Sequence, residues 1–122
     1  MKKFLLDTNT LIYLHNGRLA NALPEGYFAY SLISEIELLS WPEMESVLEH
    51  ELRELLAAFR RIEINVAVRE TAISVRREHR LKLPDALIAA SAIHFDAVLL
   101  TNDQRLLTLP GLRSQPLELK HD

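Results

Sequence analysis

The sequence predicts an α/β fold, a parallel sheet with helices on both faces, and two observations carry that prediction. Short apolar runs of four or five residues alternate along the chain with longer segments of helical periodicity. The run Ala97–Thr101 is almost wholly apolar, the pattern of a strand covered on both sides rather than half-exposed. Right-handed crossovers then restrict the order in which such strands can pair.

The elements follow in order. Lys3–Leu6 reads as a short buried strand. Thr8–Asn16 reads as a helix with Leu11, Ile12 and Leu14 apolar, stopped at Asn16-Gly17. Pro24, Glu25 and Gly26 form a turn before a second strand, Tyr27–Ser31. Ile33–Ser40 is a helix closed by Trp41-Pro42, because Pro disfavours helix in the residue before it. Glu43–Arg60 is a long amphipathic helix with Val47, Leu48, Leu52, Leu55, Leu56 and Phe59 at helical spacing. Ile62–Asn65 alternates as a third strand. Val66–Arg80 is a helix with Val68, Ala72, Val75 and His79 on one stripe. Pro84 opens the next helix, a position that tolerates it. Ala97–Thr101 is the fourth strand, and Asp103–Leu107 a short turn of helix. Arg113–Leu119 is a fifth strand, confined to an edge by Pro116.

At 122 residues the chain reads as one domain spanning residues 1–122, long enough to bury about two-thirds of its unfolded surface. Hydrophobic residues at 48% and charged residues at 25% are a globular balance. With no cysteine, disulfides, thiolate metal sites and a cysteine nucleophile are excluded, and a reducing compartment fits. The opening Met1–Leu6 imitates a signal peptide only until Asp7 breaks the run. The longest apolar stretch, Ala86–Ile93, falls short of the ~20 residues that span a bilayer. A cytoplasmic protein without a membrane partner is expected. The net charge of −3 argues against affinity built on phosphate neutralisation alone, so nucleic acid would be met through local basic patches or bound metal.

Four acids interrupt apolar runs where elements begin or end: Asp7, Glu37, Asp85 and Asp103. Carboxylates beside buried segments are costly unless compensated. Asp7 follows the first strand and Asp103 the fourth. Glu37 and Asp85 are placed in the first turns of helices that begin at the same sheet edge, where α/β folds build their sites. Each also has a structural role open to it: Asp7 and Asp103 as helix caps, Asp85 as an anion favoured by a helix dipole. That role is weakest for Glu37, flanked by Ile36 and Leu38 within a helix. Glu35 reads as a solvated residue on another face. Convergence of all four would suit a hard cation, Mg²⁺ or Mn²⁺.

The segments Leu6-Asp7-Thr8-Asn9-Thr10-Leu11-Ile12, Ile33-Ser34-Glu35-Ile36-Glu37-Leu38, Leu83-Pro84-Asp85-Ala86-Leu87-Ile88-Ala89-Ala90 and Leu99-Leu100-Thr101-Asn102-Asp103 resemble the four motifs of PIN-domain ribonucleases, in particular the VapC-type toxins of bacterial type II toxin–antitoxin systems. The resemblance implies a three-layer α/β/α sandwich on a mostly parallel five-stranded sheet. It implies a Mg²⁺- or Mn²⁺-dependent endoribonuclease that hydrolyses RNA phosphodiester bonds. Asp7, Glu37, Asp85 and Asp103 match the family's catalytic acids, with Asp7, Asp85 and Asp103 as metal ligands and Glu37 orienting water or supporting the metal shell. Asn9 and Thr101 match its supporting polar positions. Where some members carry a further acid two positions after the fourth, this chain has Arg105. The resemblance also implies a homodimer and a small cognate antitoxin lying in an apolar groove between the second and third predicted helices.

Arg76, Arg77, Arg80 and Lys82 precede the third acid and could draw an RNA backbone to it, although a solvated helix face is the better explanation of them. The five histidines show no metal-ligand spacing. A phosphatase with an acid at the end of its first strand needs a second Asp where Asn9 stands. A non-catalytic binding module would use the same acids only as caps.

Overall fold

In a computed structural model, which describes residues 1–121, five strands and six helices alternate along the chain. They are β1 (Lys3–Leu6), α1 (Thr8–His15), β2 (Tyr27–Ser31), α2 (Leu32–Leu39), α3 (Ser46–Ala57), β3 (Arg60–Ile62), α4 (Val66–His79), α5 (Leu83–Phe95), β4 (Val98–Leu100), α6 (Gln104–Leu107) and β5 (Ser114–Gln115). The strands form one sheet in the order β3-β2-β1-β4-β5, every pair parallel. Chain order reverses direction at β1, whose neighbours are β2 on one side and β4 on the other. In α/β sheets the crevice at such a switch point is where sites form.

The strand pleat divides the core into two layers. Leu5, Ala29 and Leu99 face one way, onto Val68 and Ala72 of α4 and the apolar face of α5. Phe4, Leu6, Tyr30 and Leu100 face the other way, onto Leu11, Leu38 and Leu56 of α1, α2 and α3. Leu5, Leu6, Leu99 and Leu100 are fully buried, so the three-layer α/β/α sandwich rests on the two central strands. No described helix is long and apolar enough to cross a membrane.

The structure differs from the sequence reading chiefly in its boundaries. The helix expected over residues 43–60 spans only Ser46–Ala57. Glu43 is held at φ 61°, outside helical space, and Glu45 caps the helix with backbone alone. The third strand falls at Arg60–Ile62 rather than Ile62–Asn65. Pairing of Ala29 with Arg60 and Ser31 with Ile62 sets its register, and Asn65 is taken as the α4 cap, its side chain accepting from the Val68 N–H. The fifth strand is an edge strand, but only two residues long before Pro116; Leu119 instead bridges Leu19 in antiparallel fashion.

Candidate active site

The register across the switch point assembles the first part of the site. Leu6 lies opposite Leu100, so Asp7 and Thr101 leave neighbouring strands side by side. Both Asp7 oxygens are then engaged. Oδ1 accepts from the Thr10 N–H at 2.8 Å, capping α1, and Oδ2 accepts from the buried Thr101 hydroxyl. That hydroxyl in turn accepts the Asp103 N–H at 3.0 Å. Thr10 strengthens the junction by donating its own hydroxyl to the Leu100 carbonyl at 2.9 Å. Asp103 caps α6, its Oδ1 accepting from the Arg105 N–H at 2.9 Å. Capping and clustering are therefore not alternatives at Asp7 and Asp103: the same geometry does both.

Glu37 lies in the second turn of α2, not the first, because Ser31 caps the helix and starts it at Leu32. One turn in, its carboxylate still reaches the sheet edge and meets the Thr8 hydroxyl at 2.7 Å. The same hydroxyl is 2.9 Å from that of fully buried Ser34. Having one proton, Thr8 donates it to the carboxylate and accepts from Ser34. Asp85 sits in the first turn of α5, as the sequence indicated. Burial raises its pKa above 3.8, and the negative charges of Asp103 and then Glu37 raise it further, while Lys82 and Arg105 oppose them. The electrostatic field thus couples three of the acids, and hydrogen bonds through Thr101 couple Asp103 to Asp7.

Two sequence expectations change. Asn9 is exposed, and no described side-chain hydrogen bond ties it to the acids. Glu35 is not solvated on an outer face: it is partly buried, accepts from the Tyr30 hydroxyl at 3.2 Å and pairs with Arg61 at 3.2 Å. Burial and then Glu35 raise the Tyr30 pKa. The sequence reading also passed over Thr8, Ser34 and Thr10. Hydroxyls within three residues of an acid, at Thr8 and Thr10 after Asp7 and at Ser34 before Glu37, were the available signal. Asn102 has a structural task, accepting the Leu117 N–H at 2.7 Å and tying the chain after β5 to the site loop.

Oxygen donors in a partly desolvated, mutually repelling set are the chemistry a hard divalent cation takes. Among the described residues, no three carboxylates are drawn close enough to ligate one ion directly. The donor set therefore fits a hydrated ion, with one or two direct carboxylates and the others reaching it through water.

The model of the PIN domain family matches residues 4–112. The chain belongs to that family. Among solved structures, this PIN domain is similar to a chain of a toxin-antitoxin complex from Klebsiella pneumoniae, at 33% identity over 88% of this chain and 93% of that one, with a TM-score of 0.75. VapBC2 from Rickettsia felis, bound to a DNA fragment from its promoter, shares the fold at 21% identity over 95% of this chain and 99% of the other, with a TM-score of 0.79. DNA-bound VapBC from Salmonella typhimurium does so at 22% identity over 95% and 98%, with a TM-score of 0.76. A comparison with curated proteins by sequence found no match. The VapC-type PIN resemblance seen in the four motifs is borne out.

Proposed function

We propose that this PIN domain is a metal-dependent endoribonuclease and the toxin of a toxin–antitoxin pair. The observation that supports the reading is that Asp7, Glu37, Asp85 and Asp103 all lie at the carboxyl edge of the sheet, where burial and then the charges of Asp103 and Glu37 raise the Asp85 pKa. Helix starts alone would bring Asp7, Asp85 and Asp103 to that edge, but not Glu37, which lies one turn into α2 and caps nothing. The likeness to toxin-antitoxin complexes supports the biological role.

Asp7, Asp85 and Asp103 would hold Mg²⁺ or Mn²⁺, directly or through water. The ion supplies Lewis acidity toward a phosphoryl oxygen and a lowered pKa for bound water. The chain's own side chains do the positioning. Thr101 fixes Asp7 and the Asp103 backbone in one register, and Thr8 fixes Glu37 to orient the attacking water. Lys82 and Arg105 place positive charge beside the acids, easing the approach of an RNA phosphate. Water adds to the scissile phosphorus as the bond to the ribose 3′ oxygen breaks, leaving a 5′-phosphate and a 3′-hydroxyl.

An antitoxin segment would lie in the groove lined by Ile12, His15, Leu38, Trp41, Leu48 and Leu52, which opens between α1, α2 and α3. Its volume is 110 Å³, and Trp41 beside it is 59% exposed. Exposed Ile73 and Leu83 on α4 and α5 offer apolar area for a homodimer. The proposed setting is the cytoplasm.

The test is cleavage of total RNA by purified protein in Mg²⁺ or Mn²⁺, with an EDTA control. Asp7→Asn keeps the Oδ1 acceptor for the Thr10 N–H and so keeps the cap, but loses the charge. It should fold and lose at least about 100-fold in rate, the scale of deleting a key electrostatic group. Undiminished cleavage by folded Asp7→Asn refutes the assignment. Phosphomonoesterase activity without RNA cleavage would favour the phosphatase alternative, and no hydrolysis at all the binding module.

A further inference from the structure

The opposite, amino edge of the sheet carries a second chemically distinct surface. A groove of 530 Å³ is lined there by Lys3, Gly26, Tyr27, Phe28, Ala58, Phe59, Arg60 and Phe95. Half of these residues are aromatic, two are cationic and none is acidic. A second groove of 400 Å³ shares Lys3, Arg60 and Phe95, and extends the surface past the Arg61–Glu63 ion pair toward Asn65 and His94. Phe28 stacks on Phe4 at 5.4 Å and tilts against Phe59 at 6.1 Å, giving the groove a rigid aromatic floor. Tyr27 at its rim is 60% exposed.

The charges here are not neutralised. The Lys3 ammonium lies 5.0 Å from the centre of the Phe95 ring, and the Arg60 guanidinium 5.3 Å from the same centre. The two like charges are therefore within about 10 Å of each other, roughly a Debye length at 0.1 M salt. Neither has a carboxylate partner among the described residues. The neighbouring acids are engaged elsewhere: Glu63 and Glu35 hold Arg61, and Asp96 holds Arg113. Two cations on one aromatic ring beside the exposed ring of Tyr27, with Glu63 at the border held by Arg61, suit a ligand that alternates anionic groups with flat rings. Single-stranded nucleic acid is such a ligand: its bases stack on aromatic side chains and its phosphates meet Lys and Arg.

We propose that this groove is a second RNA contact, remote from the acids, in which a base stacks beside Tyr27 and Phe59 while adjoining phosphates take Lys3 and Arg60. That the nucleic acid is RNA rests on the function proposed above. The groove would hold a single strand at the edge of the sheet opposite the cleft, favouring substrates long enough to reach both.

The experiment measures binding, not cleavage, with the full chain in EDTA and a fluorescently labelled single-stranded RNA dodecamer. Affinity is read by anisotropy across a salt series for wild type, Lys3→Gln/Arg60→Gln and Tyr27→Ser. Circular dichroism and Tm are recorded alongside; Arg60 and Tyr27 are exposed, so the fold should hold. Loss of two phosphate contacts should flatten the slope of log K against log salt by about 1.4 and weaken binding roughly tenfold. Tyr27→Ser should weaken binding while leaving the slope intact. Unchanged affinity and slope in a folded double variant overturns the proposal. So does competition by inorganic pyrophosphate as effective as that by unlabelled RNA, which would assign the site to a bare anion. Should wild type cut no RNA while the double variant binds it less well, the nuclease reading falls and the groove stands; if wild type cuts RNA and the double variant binds it as tightly, the reverse holds.

Discussion

Thr101 holds two of the site's acids in place through one oxygen. Its hydroxyl donates to Asp7 and accepts from the Asp103 backbone, and it is fully buried. Thr101→Val keeps the shape and removes both bonds. It leaves a carboxylate oxygen and an N–H unpaired in the interior, at a cost of about 1–3 kcal/mol. Chemical denaturation should show that loss, cleavage should fall with it, and Thr101→Ser should restore most of both. Asp85 behaves oppositely, because its pKa is raised, by burial first and by its acidic neighbours second. The folded state therefore holds a proton that the unfolded chain has released, so stability falls as pH climbs from the ordinary 3.8 through the raised value, and stays lowered above it. Asp85→Asn removes that penalty. In EDTA at neutral pH it should raise Tm by a few degrees, a gain that should vanish below about pH 3.8, and with Mg²⁺ or Mn²⁺ restored it should abolish cleavage. An unchanged or lower Tm for Asp85→Asn at pH 7 would show that the acids do not strain the fold.

Among the elements, those with a local chemical cause were legible in the sequence. β1 and β2 end where Asp7 and Ser31 cap the following helices, and their expected and observed bounds coincide. α4 ends at left-handed Arg80, the residue at which its periodicity stops, and α5 closes in the same way at left-handed Asp96. What was not legible depends on pairing. β3 has three residues, and its apolar alternation continues through Ile64; only the partner strand shows which three count. Likewise the hydroxyls of Thr8 and Ser34 acquire meaning only once α2 is docked beside α1. Gly26 is similarly a matter of close approach. At φ 158° it brings the start of β2 onto β1, and a Cβ there would sit 2.5 Å from the Lys2 carbonyl oxygen and 2.8 Å from the Phe4 ring. Gly26→Ala must move backbone or a buried ring, so in place of the gain of up to about 1 kcal/mol at an unstrained glycine it should destabilise by more than that amount. A Tm within a degree of wild type would contradict the packing of that turn.

At the scale of the whole molecule, the sheet separates charge. At its carboxyl edge burial, then the charges of Asp103 and Glu37, raise the proton affinity of Asp85, while its amino edge carries Lys3 and Arg60 on one ring, so a net charge of −3 conceals two poles. The repulsion at the acid pole is a cost that a cation bound as proposed would relieve, because it would bind the folded chain and have no comparable site on the unfolded one. Linkage then sets the size of the effect: at a free Mg²⁺ or Mn²⁺ concentration about 100-fold above Kd, stability should rise by about 2.7 kcal/mol. Thermal melts across a metal titration should show Tm climbing with the logarithm of concentration, and Asp85→Asn/Asp103→Asn should erase the climb. High NaCl should not imitate it, since screening weakens repulsion between exposed charges far more than between partly buried ones. A wild-type Tm unmoved by millimolar Mg²⁺ and Mn²⁺ would mean that the carboxylates tolerate each other without an ion, and the nuclease mechanism would lose its physical basis.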